Sequence, residues 1–170
     1  MKIDREHAVC FTGHRYAPQN CMLSALRAIE RLIRGGTTVF IAGGALGFDT
    51  IAARAVLSEK KNYPMIRLVL ALPCPQQDAL WNESDKKVRH DIIARADTVV
   101  LLADRYTPAC MHLRNHYMVD NSSRCIAYFD GSSGGTTSTV AYARERGVPI
   151  LNLCENTSFA DQISIEGSYT

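Results

Sequence analysis

The chain has 170 residues, of which 46% are apolar and 21% charged, with a net charge of +2. That is ordinary globular composition, and the length suits one domain spanning 1–170 around one core. Near-neutral charge argues against duplex nucleic acid as a partner, and no apolar run approaches the roughly 20 residues of a membrane span.

The start, Met1-Lys2-Ile3-Asp4-Arg5-Glu6-His7, is too polar for a secretory signal, so a cytoplasmic domain is expected. Six cysteines, at 10, 21, 74, 110, 125 and 154, form no C-x-x-C pair. Neither a zinc site nor a disulfide framework is expected from that spacing, and no metal ligands are assigned. Cys10 and Cys125 lie within apolar runs and read as small buried hydrophobes.

In chain order, apolar runs alternate with helical patterns. Ala8 to Thr12 predicts a first strand. Met22, Leu23, Leu26, Ile29, Leu32 and Ile33 follow at helical spacing, and Gly35-Gly36 ends that helix. Thr38 to Ala42 predicts the second strand, and the alanine-rich Ile51 to Glu59 the second helix. Met65 to Leu72 is the third strand. Val88, Ile92 and Ile93 mark the third helix, with Ser84 as its cap. Thr98 to Leu102 is the fourth strand. Met111, Asn115, Met118 and Val119 share a face of the fourth helix. Arg124 to Phe129 is the fifth strand. Val140 and Ala143 face inward on the fifth helix, which ends at Gly147, and Pro149 to Leu153 is the sixth strand. Runs of this length without clean polar alternation suit strands buried on both faces. The order predicts an α/β, Rossmann-like, doubly wound and mostly parallel sheet of about six strands flanked by helices. The core spans about 8–153, and the polar tail 155–170 reads as loosely packed.

Ligands of such sheets sit beyond the carboxyl ends of the strands. After the first strand come Thr12, Gly13, His14 and Arg15: a hydroxyl donor, a glycine that permits close approach, and a guanidinium suited to phosphate. His14 and Arg15 could equally cap backbone carbonyls of the sheet. After the second strand, Gly43-Gly44-Ala45-Leu46-Gly47-Phe48-Asp49 enters a helix, a glycine-rich turn with a candidate anion site. Its spacing is neither G-x-G-x-x-G nor a Walker loop, and Asp49 is equally a helix cap. After the fifth strand, Asp130-Gly131-Ser132-Ser133-Gly134-Gly135-Thr136-Thr137 makes a second such turn, rich in hydroxyls. After the fourth strand stand Asp104 and Tyr106, with Arg114 and Asn115 on the helix behind. Tyr106 could stack on a base, and Arg114 or Asn115 could reach phosphate or ribose. His112 and His116 share a helix face, but Leu113 stands where a zinc-protease motif needs Glu. Trp81 reads as an anchor of the third helix ahead of a cover for a ligand edge.

Phe11-Thr12-Gly13-His14-Arg15, Gly43-Gly44-Ala45-Leu46-Gly47-Phe48-Asp49, Tyr106-Thr107-Pro108, Arg114 to Asp120 and Gly134-Gly135-Thr136 together resemble the YpsA-like, SLOG-type family. That superfamily is named for Smf/DprA and the "lonely guy" (LOG) proteins, and the resemblance runs from about Val9 to Leu153. It implies a Rossmann-like fold and a role in binding nucleotides or nucleotide-derived signals. The LOG branch implies an alternative, hydrolysis of nucleoside monophosphates at the N-glycosidic bond, with a motif G-G-x-G-T-x-x-E whose Glu is catalytic. Here the stretch reads Gly134-Gly135-Thr136-Thr137-Ser138-Thr139-Val140-Ala141, and Ala141 can neither take a proton nor stabilise an oxocarbenium-like centre. The DprA branch implies single-stranded DNA, which wants a basic groove and stacking aromatics that 8% aromatic content supports weakly.

The expected function is binding of a small phosphorylated nucleotide or ADP-ribose-like ligand in a sensor or signalling role; no cofactor is assigned beyond such a ligand. Both glycine-rich turns would hold phosphates, with Thr12 and Thr137 donating and Arg15 or Arg114 neutralising charge. Asp49 or Asp130 would accept from ribose, and Tyr106 would lie against the base. Homo-oligomerisation is also expected, with a self-associating scaffold through the fourth helix as a further alternative.

Overall fold

A computed structural model describes residues 2–154; the tail at 155–170 lies outside the described residues. A 3-10 turn at Arg5–His7, whose cap Asp4 accepts from the Glu6 amide, leads into β1 (Ala8–Gly13). There follow α1 (Cys21–Arg34), β2 (Val39–Ala42), α2 (Phe48–Glu59), β3 (Arg67–Leu72) and α3 (Glu83–Arg95). The second half runs β4 (Thr98–Leu101), α4 (Cys110–Asp120), β5 (Arg124–Tyr128), α5 (Gly135–Glu145) and β6 (Ile150–Asn152). All six strands are parallel, in the order β4-β3-β2-β1-β5-β6. This is the α/β, Rossmann-like architecture expected from the alternating pattern.

The order has a physical consequence. From β1 the chain steps outward to β4, then α4 carries it back over the sheet to place β5 beside β1. Right-handed crossovers running in opposite directions put α1, α2 and α3 on one face and α4 and α5 on the other. The two cores follow that division. One packs Phe11, Phe40, Leu68, Leu70 and Ile126 against Ala25, Ile29, Ala52, Val56 and Ile92. The other packs Cys10, Ile41, Val69, Ala71 and Cys125 against Met118, Val119 and Ala143. Adjacent residues of each strand thus serve opposite cores, which is why the central runs show no polar alternation. Each fully buried Phe or Ile contributes about 1.5–3 kcal/mol by leaving water.

Two local expectations differ. The fourth run was expected to be buried on both faces, but β4 is a sheet edge, with Val99 43% and Leu101 46% exposed. The cap of α3 is Asn82, not Ser84: its side-chain oxygen accepts the Asp85 amide at 2.8 Å. Five cysteines, Cys10, Cys21, Cys74, Cys110 and Cys125, are buried and free, and Cys154 is partly buried and free. No helix among the described residues is long and apolar enough to cross a membrane.

Candidate functional site

The reversal of strand order between β1 and β5 leaves a crevice where α1 and α5 depart on opposite faces, the place where open α/β sheets take ligands. A cleft of about 650 Å³ opens there, walled by the ends of β1 and β5, the turns before α2 and α5, and α4. It is large enough for a nucleotide-sized molecule.

Of the nominated residues, Thr12, Gly13, His14, Arg15, Asp49, Arg114, Asn115, Asp130, Gly134, Gly135 and Thr136 line this cleft. Gly43, Gly44, Gly47, Asp104, Tyr106, Gly131 and Thr137 do not. All of these but Gly131 have a visible reason. Tyr106 is 62% exposed in the loop after β4, the outermost strand on that side, and Asp104 is exposed beside it. The Thr137 hydroxyl donates to the Ser132 carbonyl at 2.7 Å, tying its own loop instead of meeting a ligand. The glycines of the first glycine-rich turn, Gly43, Gly44 and Gly47, are packed against Arg114, Leu72 and the His14–Arg15 backbone.

Asp49, in the first turn of α2, folds back so that one carboxylate oxygen accepts the Ala45 amide at 3.3 Å. The Phe48 amide donates to the His14 carbonyl at 3.1 Å. The Ala45 and Phe48 amides are therefore engaged, and a carboxylate already stands at this helix start, where it disfavours a second anion. Beneath lies Arg114 of α4, 7% exposed, which donates to the Gly43 carbonyl and stands 3.5 Å from Asp49. Burial pushes the Asp49 carboxyl above its ordinary value, against the pull of Arg114 and of the Ala45 and Gly43 amides. Burial likewise lowers the Arg114 guanidinium, and Asp49 opposes that. Arg114 is a buried strut of the cleft floor, and its Nε has no partner among the described residues. Gln77 reaches the same Gly43 carbonyl at 3.2 Å.

The second turn differs in its surroundings. Like α2, α5 has a glycine N-cap and no side-chain cap, so its first amides lack intrahelical acceptors, but no carboxylate among the described residues folds back over it as Asp49 does over the first turn. Thr136 is 8% and Thr12 6% exposed; both line the cleft, and neither hydroxyl has a hydrogen-bond partner among the described residues. Arg15 lines the same space, exposed and without an ion-pair partner among the described residues. A cation, an uncapped helix start and the hydroxyls of two mostly buried threonines thus converge on one volume, a donor set for an anion.

His14 and Asp130 close the gap between the ends of β1 and β5. The His14 Nε2 lies 2.7 Å from an Asp130 carboxylate oxygen and 3.0 Å from the Asp130 amide. Hydrogen bonds from the Ser132 hydroxyl and amide hold the Asp130 carboxyl below its ordinary value, helped by His14.

Tyr16, Gln77, Met111, Met118, Tyr128, Thr139 and Cys154 also line the cleft with no ligand role assigned from sequence, as do Ser132 and Ser133 of the hydroxyl-rich second turn and Trp81, for which an anchoring role ranks ahead of ligand cover. Gln77 and Trp81 lie in the segment between the third strand and the third helix, and no finer feature of the sequence marks them.

Comparison with known proteins accords with this fold. The family model YpsA, described as the YspA SLOG family, matches residues 19–147. The SPbeta prophage-derived protein YoqJ of Bacillus subtilis is 33% identical over 133 residues, covering 71% of this chain and 78% of the relative. The UPF0398 protein BH1768 of Halalkalibacterium halodurans is 33% identical over 112 residues, 65% of this chain and 59% of the relative. Among solved structures, DNA processing protein A of Helicobacter pylori, described for its single-stranded DNA binding mode, superposes with a TM-score of 0.66. It is 20% identical, and the match covers 96% of this chain and 74% of that one. The DprA of Streptococcus pneumoniae gives the same TM-score at 18% identity, with this chain spanning 57% of it. At those identities the likeness is one of fold. With the family model matching most of its length, the chain belongs to the YspA SLOG family.

Proposed function

We propose that the cleft binds a small phosphorylated nucleotide or ADP-ribose-like molecule, in a sensing or signalling role. The observation that carries this reading is the convergence of the Arg15 guanidinium, the uncapped start of α5 and the Thr12 and Thr136 side chains on one cleft. Backbone amides at a helix start, with a cation and hydroxyls beside them, form a donor set that an anionic ligand satisfies. The phosphate belongs at the 134–136 turn, with Arg15 as its counter-charge. Asp130 at the rim is the carboxylate placed to accept from a ribose hydroxyl. Calorimetry with adenosine monophosphate and ADP-ribose tests this, against a Gly135→Asp variant. The substitution puts a negative charge at a helix start, where it is tolerated, and repels phosphate. Binding below millimolar in the native chain and its loss in the variant is the expected result; no heat at millimolar ligand overturns the proposal.

Hydrolysis of the bound nucleotide is the less favoured reading. Ala141 occupies the place of the LOG glutamate, and Asp49 is held by Arg114 and backbone amides. Free base released from nucleoside monophosphates, followed by chromatography, with turnover abolished in Asp130→Asn, would establish it. The likeness to the Helicobacter pylori protein motivates a second test, fluorescence anisotropy with a labelled single-stranded oligonucleotide. Arg114 and Arg89, both buried and engaged, leave Arg15 as the exposed cation on the cleft wall, less than a polyanion groove needs.

A further inference from the structure

We infer that Trp81 is the platform on which the base of the ligand stacks, an inference that rests on the nucleotide reading above. Tyr106, the residue nominated for the base from sequence, is off the cleft. Three Tyr or Trp side chains line it: Tyr16, Trp81 and Tyr128. The Tyr128 ring is already stacked on Phe48, with centroids 5.9 Å apart. Tyr16 is 91% exposed, so ordering it against a ligand would forfeit its side-chain freedom. Trp81 is partly buried, with the Arg89 guanidinium over its ring and its backbone amide bonded to the Asp78 carbonyl.

What holds it is costly. Arg89 of α3, only 6% exposed, sets its guanidinium over the Trp81 ring, 5.7 Å from the centroid. Its two terminal nitrogens donate to Asp78 at 3.0 Å and to Gln77 at 3.2 Å. Gln77 in turn donates to the Gly43 carbonyl, the acceptor that Arg114 also uses. The Arg89 Nε is buried without a partner among the described residues. An apolar side chain would anchor α3 to the sheet without burying a charge and orphaning a donor. The network does what an apolar anchor cannot: it ties the Trp81 turn rigidly to the cleft floor, and the cation lies against the ring's negative face. A flat aromatic surface fixed beside an anion site is matched by a flat aromatic heterocycle carrying a phosphate, and prior fixing lowers the entropy lost on binding.

Trp81 is the chain's one tryptophan, so its emission reports on this position alone. The experiment titrates the intact protein with adenosine monophosphate and with ribose 5-phosphate, reading emission and calorimetric heat together. The nucleotide is expected to bind and quench; ribose 5-phosphate is expected to bind without quenching. Trp81→Leu should weaken the nucleotide about tenfold or more, the usual range for loss of a stacked aromatic, and leave ribose 5-phosphate unchanged. Trp81→Phe should restore most of the affinity. Unchanged ribose 5-phosphate binding shows that the variants are folded. Nucleotide affinity unaltered in Trp81→Leu overturns the platform while leaving the nucleotide reading standing. No heat from either ligand overturns that reading, and the platform with it.

Discussion

The two glycine-rich turns look alike as sequences and differ as structures. In the turn at 43–47 the glycines are demanded by the protein itself. A Cβ on Gly43 would fall on the Arg114 guanidinium, and one on Gly47 would meet the backbone carbonyls of His14 and Arg15. A Cβ on Gly44 would lie 2.5 Å from Leu72. In the turn at 131–135 a Cβ on Gly131, Gly134 or Gly135 would meet nothing within 4 Å. One turn is filled by its own chain: Asp49 takes its amide and Arg114 its carbonyl. The other holds space open beside unpartnered donors. A glycine-rich strand-to-helix turn is thus two different devices, and which one it is depends on whether side chains from elsewhere already occupy it.

This contrast can be broken by substitution. The largest effect is expected for Arg114→Met, which strands the Asp49 carboxylate in the interior without its counter-charge and leaves the Gly43 carbonyl to Gln77 alone; about 3–5 kcal/mol of stability should be lost, read by urea denaturation. A loss below 1 kcal/mol would mean that Arg114 is not the strut of the first turn. Gly47→Ala comes next. It combines a backbone clash, about 1–3 kcal/mol, with left-handed strain at φ +81 of similar size. Thermal unfolding should show the drop, and an undiminished midpoint would remove the packing account. Gly135→Ala, by contrast, should leave stability unchanged or raise it by up to about 1 kcal/mol, since the site is open and helical. A large loss there would erase the difference between the turns. The smallest effect concerns the second turn's own order. Asp130 is held below its ordinary value of 3.8, so its contribution is full above that pH and is lost as pH falls through the lower folded value. The Ser132 amide resonance should therefore shift only below pH 3.8, and a midpoint above it would show that the Asp130–Ser132 bonds are not those of the folded loop.

The fold was largely legible. Six apolar runs met six strands within a residue or two at their ends, because central parallel strands need apolar residues on both sides and little else does over so short a span. The exception, β4, is an edge, and edge position is a matter of strand order rather than of the run itself. The helix ends at Gly35 and Gly147 were legible because a terminating glycine leaves a local signature, and the Gly147 φ is +66. Site residues were legible where they immediately follow a strand at the crossing point, as Thr12 to Arg15 and Asp130 to Thr136 do. They were not where a long-range partner decides the role. Arg114 and Asn115 are neighbours on one helix, yet one is buried as a strut and the other is partly exposed on the cleft wall. Trp81 has no periodic or spacing signal at all; its position against the cleft comes from a guanidinium eight residues later and a carbonyl on another strand end.

Alternating apolar runs and helical repeats by themselves determined the layered α/β architecture, since each run can be buried only in a sheet covered on both faces. They also placed glycines and hydroxyls beyond the strand ends, where such sheets take ligands. Tertiary structure decided which of those residues remain free. Packing drew Asp49, Arg114 and the first glycine turn into one network, in which the guanidinium serves the Gly43 carbonyl and stands against the carboxylate. The reversal of strand order between β1 and β5 left Arg15, Thr12, Thr136 and the start of α5 around an open volume, with donors that no residue of the described chain satisfies.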